Sequence, residues 1–381
     1  MSKVLVITDM DSVGSGYKYI CAPLFTQLSG YGYDIKVIGL SYRGEEHEYP
    51  FSLIPSASIQ DSHALASNIM QLWLPDVVIV AADLIHQEPF YTTLSKYFNR
   101  PNLPRIKYIA ITPLENGPLR LSWAAPLYNM DGVFFISELG KQEALKVGVK
   151  ADHLVVGVDP VSFRPPLPDE KIQLRRGLGI SDDTFVVLTV ADNQERKNLW
   201  AGMDAISRLK SLIDRPIKYI LVTRENNAFG WNLRDLSTIL QINNELSIYE
   251  RGMSRKDLWA LYAVADAYLQ PSKAEGLGLP ILDAMLAKIP VVANDTGAMS
   301  ELLSGNRGFL VPAEYTFLDV WGNSMRAMMD RELASAYLKT ISSSDTSSVV
   351  ENAYSYICSR TWESATKQIH EKIMEILSEK K

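Results

Sequence analysis

Short, uninterrupted apolar runs alternate along this chain with stretches of helical period. Val4-Leu-Val-Ile7 reads as a strand buried on both faces. A polar, glycine-containing loop runs from Asp9 to Gly16, and Ile20, Leu24 and Leu28 then recur at helical spacing between Tyr17 and Leu28. Ile35-Lys-Val-Ile38 is a second strand, completing a β–loop–α–β unit of the kind that crosses over right-handed. Val77–Val80, Ile106–Ala110, Gly132–Ile136 and His153–Gly157 extend the strand series, with helical patterns at Leu65–Leu72 and Lys141–Val147.

Val158 to Pro168 carries four prolines and breaks this rhythm as a stiff connector. A second series follows: strand Thr184–Val190, loop Ala191–Lys197, a helix through Leu209, then strands Lys218–Val222 and Ser247–Tyr249. Leu258–Ala265 is helical, Ala267–Gln270 and Ile289–Ala293 are strands, and Gly308–Val311 reads as the last strand. Trp362, Ala365, Ile369, Ile373 and Ile376 share one face of a terminal helix. The pattern predicts an α/β protein of two Rossmann-like domains facing each other across an inter-domain cleft.

Composition narrows the class. A chain of 381 residues, 47% hydrophobic and 22% charged, suits two soluble globular domains. A net charge of −6 argues against a nucleic-acid partner. Cys21 and Cys358 are far apart and lie in apolar periodic stretches, so buried thiols in a reducing cytoplasm are expected. Met1 leads directly into the first strand, without a signal-peptide pattern, and no apolar run reaches the roughly 18 residues of a membrane span.

The most informative stretch is Pro271-Ser-Lys-Ala-Glu275-Gly276-Leu277-Gly278-Leu-Pro280-Ile-Leu-Asp283. A carboxylate on a turn, two glycines and a helix start with a second carboxylate suit hydroxyl donors beside a phosphate, the helix N-terminus favouring the anion. Each carboxylate alone has a plainer reading: Glu275 as a loop-fixing group, Asp283 as a solvated helix residue. In Asp192-Asn193-Gln-Glu-Arg196-Lys197-Asn198, two cations at a helix start are unfavourable with the dipole unless an anion sits between them. Solvated charge is the alternative there. The first loop, with Gly14 and Gly16, is either a phosphate cradle or a tight turn. Tyr19 stands where a dinucleotide fingerprint needs glycine, which argues against a nicotinamide enzyme. Asp9-Met-Asp11 reads as a chance match to a metal-binding pattern, and the five histidines lack metal-ligand spacing.

These residues resemble the retaining nucleotide-sugar glycosyltransferases of family 4, with the GT-B fold. Gly157-Val-Asp159 with Phe163-Arg-Pro165, the loop Asn193–Asn198, and Ala265 through Pro280 carry the resemblance most strongly. Pro290-Val-Val292, Thr296-Gly297 and Glu301-Leu302 continue it, and Pro113–Pro118, Trp123 and Ser137–Gly140 are similar to the family's amino-terminal domain. The resemblance implies an acceptor domain over 1–160, joined by a helix crossing back over 362–381, and a donor domain over 161–361. It implies that Arg196 and Lys197 neutralise the donor diphosphate, that Glu275 faces the donor sugar, and that Asp283 holds the ribose. Gly14 and Gly16 would let ligand approach the backbone, Asn193 and Gly276–Gly278 would line the donor site, and Met253 would lie near the base. No metal or other cofactor is implied.

Two positions depart from the family pattern. Asp283 stands where the family has Glu, shortening reach by ~1.5 Å, and Ala191-Asp192 replaces Gly-Arg. His86 and Glu115 are candidates for the amino-domain site. The expected partners are a nucleotide-sugar donor and a glycan, lipid-linked or protein acceptor. Lys96, Arg100, Arg105 and Lys107 near Phe90, Tyr91, Tyr97 and Phe98 read either as a peripheral membrane patch or as a solvated helix face. A degenerate scaffold subunit and a sugar-nucleotide hydrolase or epimerase are the competing functions.

Overall fold

The computed structural model describes residues 1–11, 13–99 and 104–379. Ser12 of the first loop and Arg100 of the basic stretch lie outside the described residues. The chain divides into two compact units: 1–157 with 320–324 and 360–381, and 158–319 with 325–359.

In the first unit the order is β1 (Lys3–Asp9), α1 (Gly16–Ser29), β2 (Asp34–Leu40), β3 (Ser52–Ser56), α2 (Ile59–Leu72), β4 (Val77–Ala81) and α3 (Leu84–Ser95). There follow β5 (Lys107–Thr112), the short α4 (Leu121–Ala124), β6 (Gly132–Phe135), α5 (Glu138–Lys146) and β7 (Asp152–His153). The strands pair in parallel in the order β3-β2-β1-β4-β5-β6-β7. Helices cover parallel sheets on both faces, which is why Val4–Ile7 and Val77–Ala81 are apolar without alternation and fully buried.

The second unit contains α6 (Pro168–Gly177), β8 (Phe185–Val190), α7 (Leu199–Leu209), β9 (Ile217–Thr223), α8 (Leu233–Ile239), β10 (Leu246–Glu250) and α9 (Arg255–Val264). It continues through β11 (Ala267–Gln270), α10 (Leu279–Leu286), β12 (Val291–Asn294), α11 (Gly297–Leu303) and β13 (Phe309–Val311). Last come β14 (Ala313–Leu318), β15 (Met325–Met329), α12 (Arg331–Ser343) and α13 (Ser347–Cys358), before the terminal α14 (Trp362–Ser378). The parallel order is β10-β9-β8-β11-β12-β13, and β14 pairs antiparallel with β15.

Three expectations need correction. The strand expected over His153–Gly157 pairs only at Asp152 and His153. Beyond the Leu154 bond to Phe135, the Val155 N–H turns to the Gln368 side chain of α14, 3.2 Å away, so the terminal helix takes the backbone from the sheet. Phe309–Val311 is not the last strand, because the β14–β15 hairpin follows it. Cys358 is only partly buried; Cys21 is fully buried, and burial pushes its thiol up to about 12. The connector is anchored rather than loose: Phe163 is buried edge-on against Tyr262 at 5.4 Å.

Helix α14 packs in the first unit with the predicted face inward: Trp362, Ala365, Ile369, Ile373 and Ile376 are all buried. His370 meets the Tyr33 hydroxyl at 2.9 Å, and Thr366 meets Gln27 at 3.3 Å. A Cβ on Gly157 would lie 2.5 Å from the Trp362 backbone nitrogen, and backbone cannot swing aside as a side chain does. Gly157→Ala is therefore expected to destabilise the protein by about 1–3 kcal/mol through overpacking. A fall in urea midpoint at constant slope is the readout; an unchanged midpoint would contradict this packing.

Candidate active site

In both sheets the strand order reverses beside the first strand of the unit, at β1/β4 and at β8/β11. Ligands of open parallel sheets bind at the carboxyl ends of the strands at such a reversal. In the second unit this brings the loop after β8, carrying Arg196 and Lys197, against the loop after β11, carrying Glu275. Two bonds tie the loops: Lys273 N–H donates to the Arg196 carbonyl at 2.9 Å, and the Asn198 amide to the Pro271 carbonyl at 3.2 Å. Asn198 is left-handed (φ 53°), which turns the chain from the Arg196–Lys197 turn into α7.

Glu275 is 5% exposed and is the hub. Its Oε1 accepts from Lys197 Nζ (2.7 Å), Ser272 Oγ (2.6 Å) and Gln270 Nε2 (2.9 Å). Its Oε2 accepts from Lys197 Nζ (2.9 Å) and Arg196 (3.1 Å). Burial by itself would raise the carboxyl pKa. Lys197 and Arg196 overcome that and, with the hydrogen bonds, hold it at about 2. Arg196 also donates to the Ala274 carbonyl at 2.7 Å. Tyr268 donates to Gln270 at 2.6 Å, so the hydrogen-bonded chain continues inward along β11.

Gly278 caps α10 in a left-handed conformation (φ 88°), which an L side chain rarely adopts. Gly276 is half-buried, and Leu277, Gly278 and Asp283 are buried. Asp283 therefore is not the solvated helix residue of the plainer reading. Tyr268 sits near both carboxylates: burial pushes its hydroxyl well above the usual range, and the charges of Glu275 and Asp283 add to that.

Asp192 looks like a lost cation in the sequence, but it lies among cations. Arg224 at the end of β9 binds it through both ends of its guanidinium, one contact at 2.7 Å, and Arg251 after β10 lies 3.3 Å away. Burial opposes the Asp192 charge, yet Arg224 and Arg251 hold its carboxyl below the usual range. The buried Asn193 side chain closes on the Trp231 backbone, donating at 2.9 Å and accepting at 2.9 Å. Met253 is half-buried in the turn after β10.

Sequence reasoning missed Lys273. It is 6% exposed, paired with Glu195, and 5.7 Å from the Phe317 ring on β14. Burial pulls its pKa down, partly offset by Asp319. Arg326 on β15, buried and bound to Asp319 at 2.8 Å, lies on the same hairpin. Ala327 N–H donates to the Lys273 carbonyl at 3.0 Å, so the hairpin braces the Glu275 loop from behind. A lysine two residues before Glu275, within the segment already marked as a binding loop, was the available signal.

Gly14 and Gly16 belong to the first unit, and both are exposed. Gly14 has φ 110°; Gly16 opens α1 after Ser15, which accepts from Tyr17 N–H. The Tyr17 hydroxyl donates to Asp83 at 2.7 Å, joining the loops after β1 and β4. Asp9 and Asp11 accept from loop N–H groups, Asp11 N–H to Asp9 and Val13 N–H to Asp11. In the basic stretch, Arg105 and Lys107 both pair with Asp131, at 2.7 and 3.3 Å. Among the described residues no group of three or more His, Cys, Asp or Glu is placed to hold a metal ion. None of the described helices is long and apolar enough to cross a membrane.

The loops that meet at the β8/β11 reversal lie inside a matched family segment. Residues 170–329 match the family described as glycosyl transferases group 1. The lipopolysaccharide core biosynthesis mannosyltransferase LpsB of Rhizobium meliloti (strain 1021) is 38% identical over 182 residues, 47% of this chain and 48% of that protein. The alpha-galactosylglucosyldiacylglycerol synthase of Streptococcus pneumoniae (strain ATCC BAA-255 / R6) is 23% identical over 257 residues, 62% of this chain and 66% of that protein. The chain thus spans about half to two thirds of the length of these relatives. A glycosyltransferase from Rickettsia africae ESF-5 superposes with a TM-score of 0.77 at 18% identity, over 100% of this chain and 99% of that one. Anabaena HepE in complex with UDP and glucose superposes at 0.75 and 17% identity, over 98% and 100%. The fold is GT-B.

The Glu275 carboxyl lies below its unfolded value of 4.5, so its stabilising contribution is complete above about pH 4.5 and is lost as pH falls toward 2. That shift corresponds to about 3 kcal/mol. The stability difference between wild type and Glu275→Gln, from urea unfolding at pH 7 and below, should shrink across that window. A difference independent of pH would contradict the buried ion pairs.

Proposed function

We propose that this protein transfers a sugar from a nucleoside-diphosphate sugar to an acceptor hydroxyl, with retention at the anomeric carbon. The observation that carries the proposal is the convergence of Arg196, Lys197 and Glu275 at the β8/β11 reversal, within the segment that matches group 1 glycosyltransferases. As the bond from the anomeric carbon to the diphosphate breaks, negative charge grows on the leaving oxygen. Arg196 and Lys197 stabilise it there, most strongly in a buried setting. The acceptor oxygen bonds to the anomeric carbon on the same face, and its proton passes to the departing diphosphate. Glu275 is read as the contact to the donor sugar and Asp283 as the contact to the ribose.

Two cations at the leaving group fill the part that a divalent metal plays elsewhere, so the proposal includes metal-independent turnover. Similar proteins suggest donors to test: GDP-mannose, used by a Corynebacterium glutamicum mannosyltransferase, and UDP-glucose, bound to HepE. Several relatives act on lipids or lipopolysaccharide. A lipid-linked or glycan acceptor, and a cytoplasmic setting with peripheral contact at a membrane surface, belong to the same proposal.

UDP-glucose, GDP-mannose and ADP-glucose, each at 100 times its Kd, should stabilise the protein by about 2.7 kcal/mol if bound only by the folded state. A thermal-shift series identifies which one binds, and no shift with any would count against a nucleotide-sugar donor. With the donor so identified, Lys197→Ala should lower kcat about 100-fold or more while circular dichroism stays unchanged. Turnover within about twofold of wild type would remove Lys197 from the diphosphate role. Asp283→Glu should bind nucleotide as tightly as wild type or tighter; loss of binding in a folded variant would end the ribose assignment.

A further inference from the structure

Glu275 has two roles that exclude each other. In the structure its two oxygens receive five donor contacts, from Lys197 twice, Arg196, Ser272 and Gln270. A carboxylate offers about four lone-pair sites, so it is saturated and has no acceptor left for a sugar hydroxyl. A diphosphate that draws Arg196 and Lys197 to itself frees those sites. It also leaves a buried carboxylate with only Ser272 and Gln270 beside it, which is costly unless new donors arrive. The hydroxyls of a donor sugar are such donors; a bare nucleoside diphosphate carries none at that position.

We infer that Glu275 is an internal counter-ion that stands in for the diphosphate and makes the site prefer an intact nucleotide sugar over the nucleoside diphosphate left after transfer. This rests on the proposed sugar-transfer function and assigns the site its selectivity between substrate and product. Diphosphate and sugar bind cooperatively because each removes the cost created by the other. Once the sugar has gone to the acceptor, the carboxylate recovers its cations and works against retention of the product.

Calorimetric titrations of UDP against UDP-glucose, of GDP against GDP-mannose, and of inorganic pyrophosphate test this. In wild type the sugar conjugate should bind more tightly than its diphosphate. Glu275→Gln should tighten the diphosphate and pyrophosphate by about tenfold and abolish the preference for the conjugate. Ser272→Ala keeps both ion pairs but removes a donor from the stripped carboxylate, so it should weaken diphosphate binding severalfold. A folded Glu275→Gln with unchanged or weaker diphosphate affinity overturns the counter-ion role. If Glu275→Gln does not fold, Ser272→Ala decides, with unchanged or tighter binding overturning it. Failure of every probe to bind wild type and both variants overturns the diphosphate site itself, a result distinct from binding without the preference.

Discussion

A carboxylate that is almost fully buried survives as an anion only if cations and hydrogen-bond donors enclose it, and Glu275 meets that condition through Arg196 and Lys197. The requirement reaches well beyond one side chain. It joins the loop after β8 to the loop after β11, and the backbone bonds at Lys273 and Asn198 hold that junction in register. Strand order makes the junction available, since β8 and β11 are neighbours although α7, β9, α8, β10 and α9 separate them in sequence. The sheet sets where the loops meet, and the ion pairs set how closely.

Other charges around the site follow the same rule of compensation. Asp192 is matched by Arg224 and Arg251 at the ends of β9 and β10, and Lys273 by Glu195. Arg326, among the largest fully buried side chains, is held by Asp319 on the hairpin behind the Glu275 loop. In a site rich in buried charge, moving one member leaves another uncompensated unless a new partner arrives.

Much of this was legible from pattern. Runs such as Val4–Ile7 and Val77–Val80 announced parallel strands because such strands are covered on both faces. The terminal stripe from Trp362 to Ile376 gave the correct buried face because helical period is a local property. Elements whose partners are distant in sequence were harder. β3 is short and only partly buried, and the β14–β15 hairpin mixes polar and apolar residues, so neither shows a strong period. The run from Leu154 to Gly157 looks like a strand and is diverted by Gln368, more than two hundred residues away.

The sequence by itself determined the central buried strands and the helices of clear period, that two α/β series exist, and which residue types around Glu275 and Arg196–Lys197 suit a phosphorylated sugar. These follow from periodicity and from side-chain chemistry at short range. Only the tertiary structure decided that Glu275 pairs with both of those cations, that Asp192 is answered by Arg224 and Arg251, and that Lys273 is buried against the β14–β15 hairpin. Charge compensation depends on distance in space. In a parallel sheet with reversed strand order, residues nearly eighty positions apart become hydrogen-bonded neighbours.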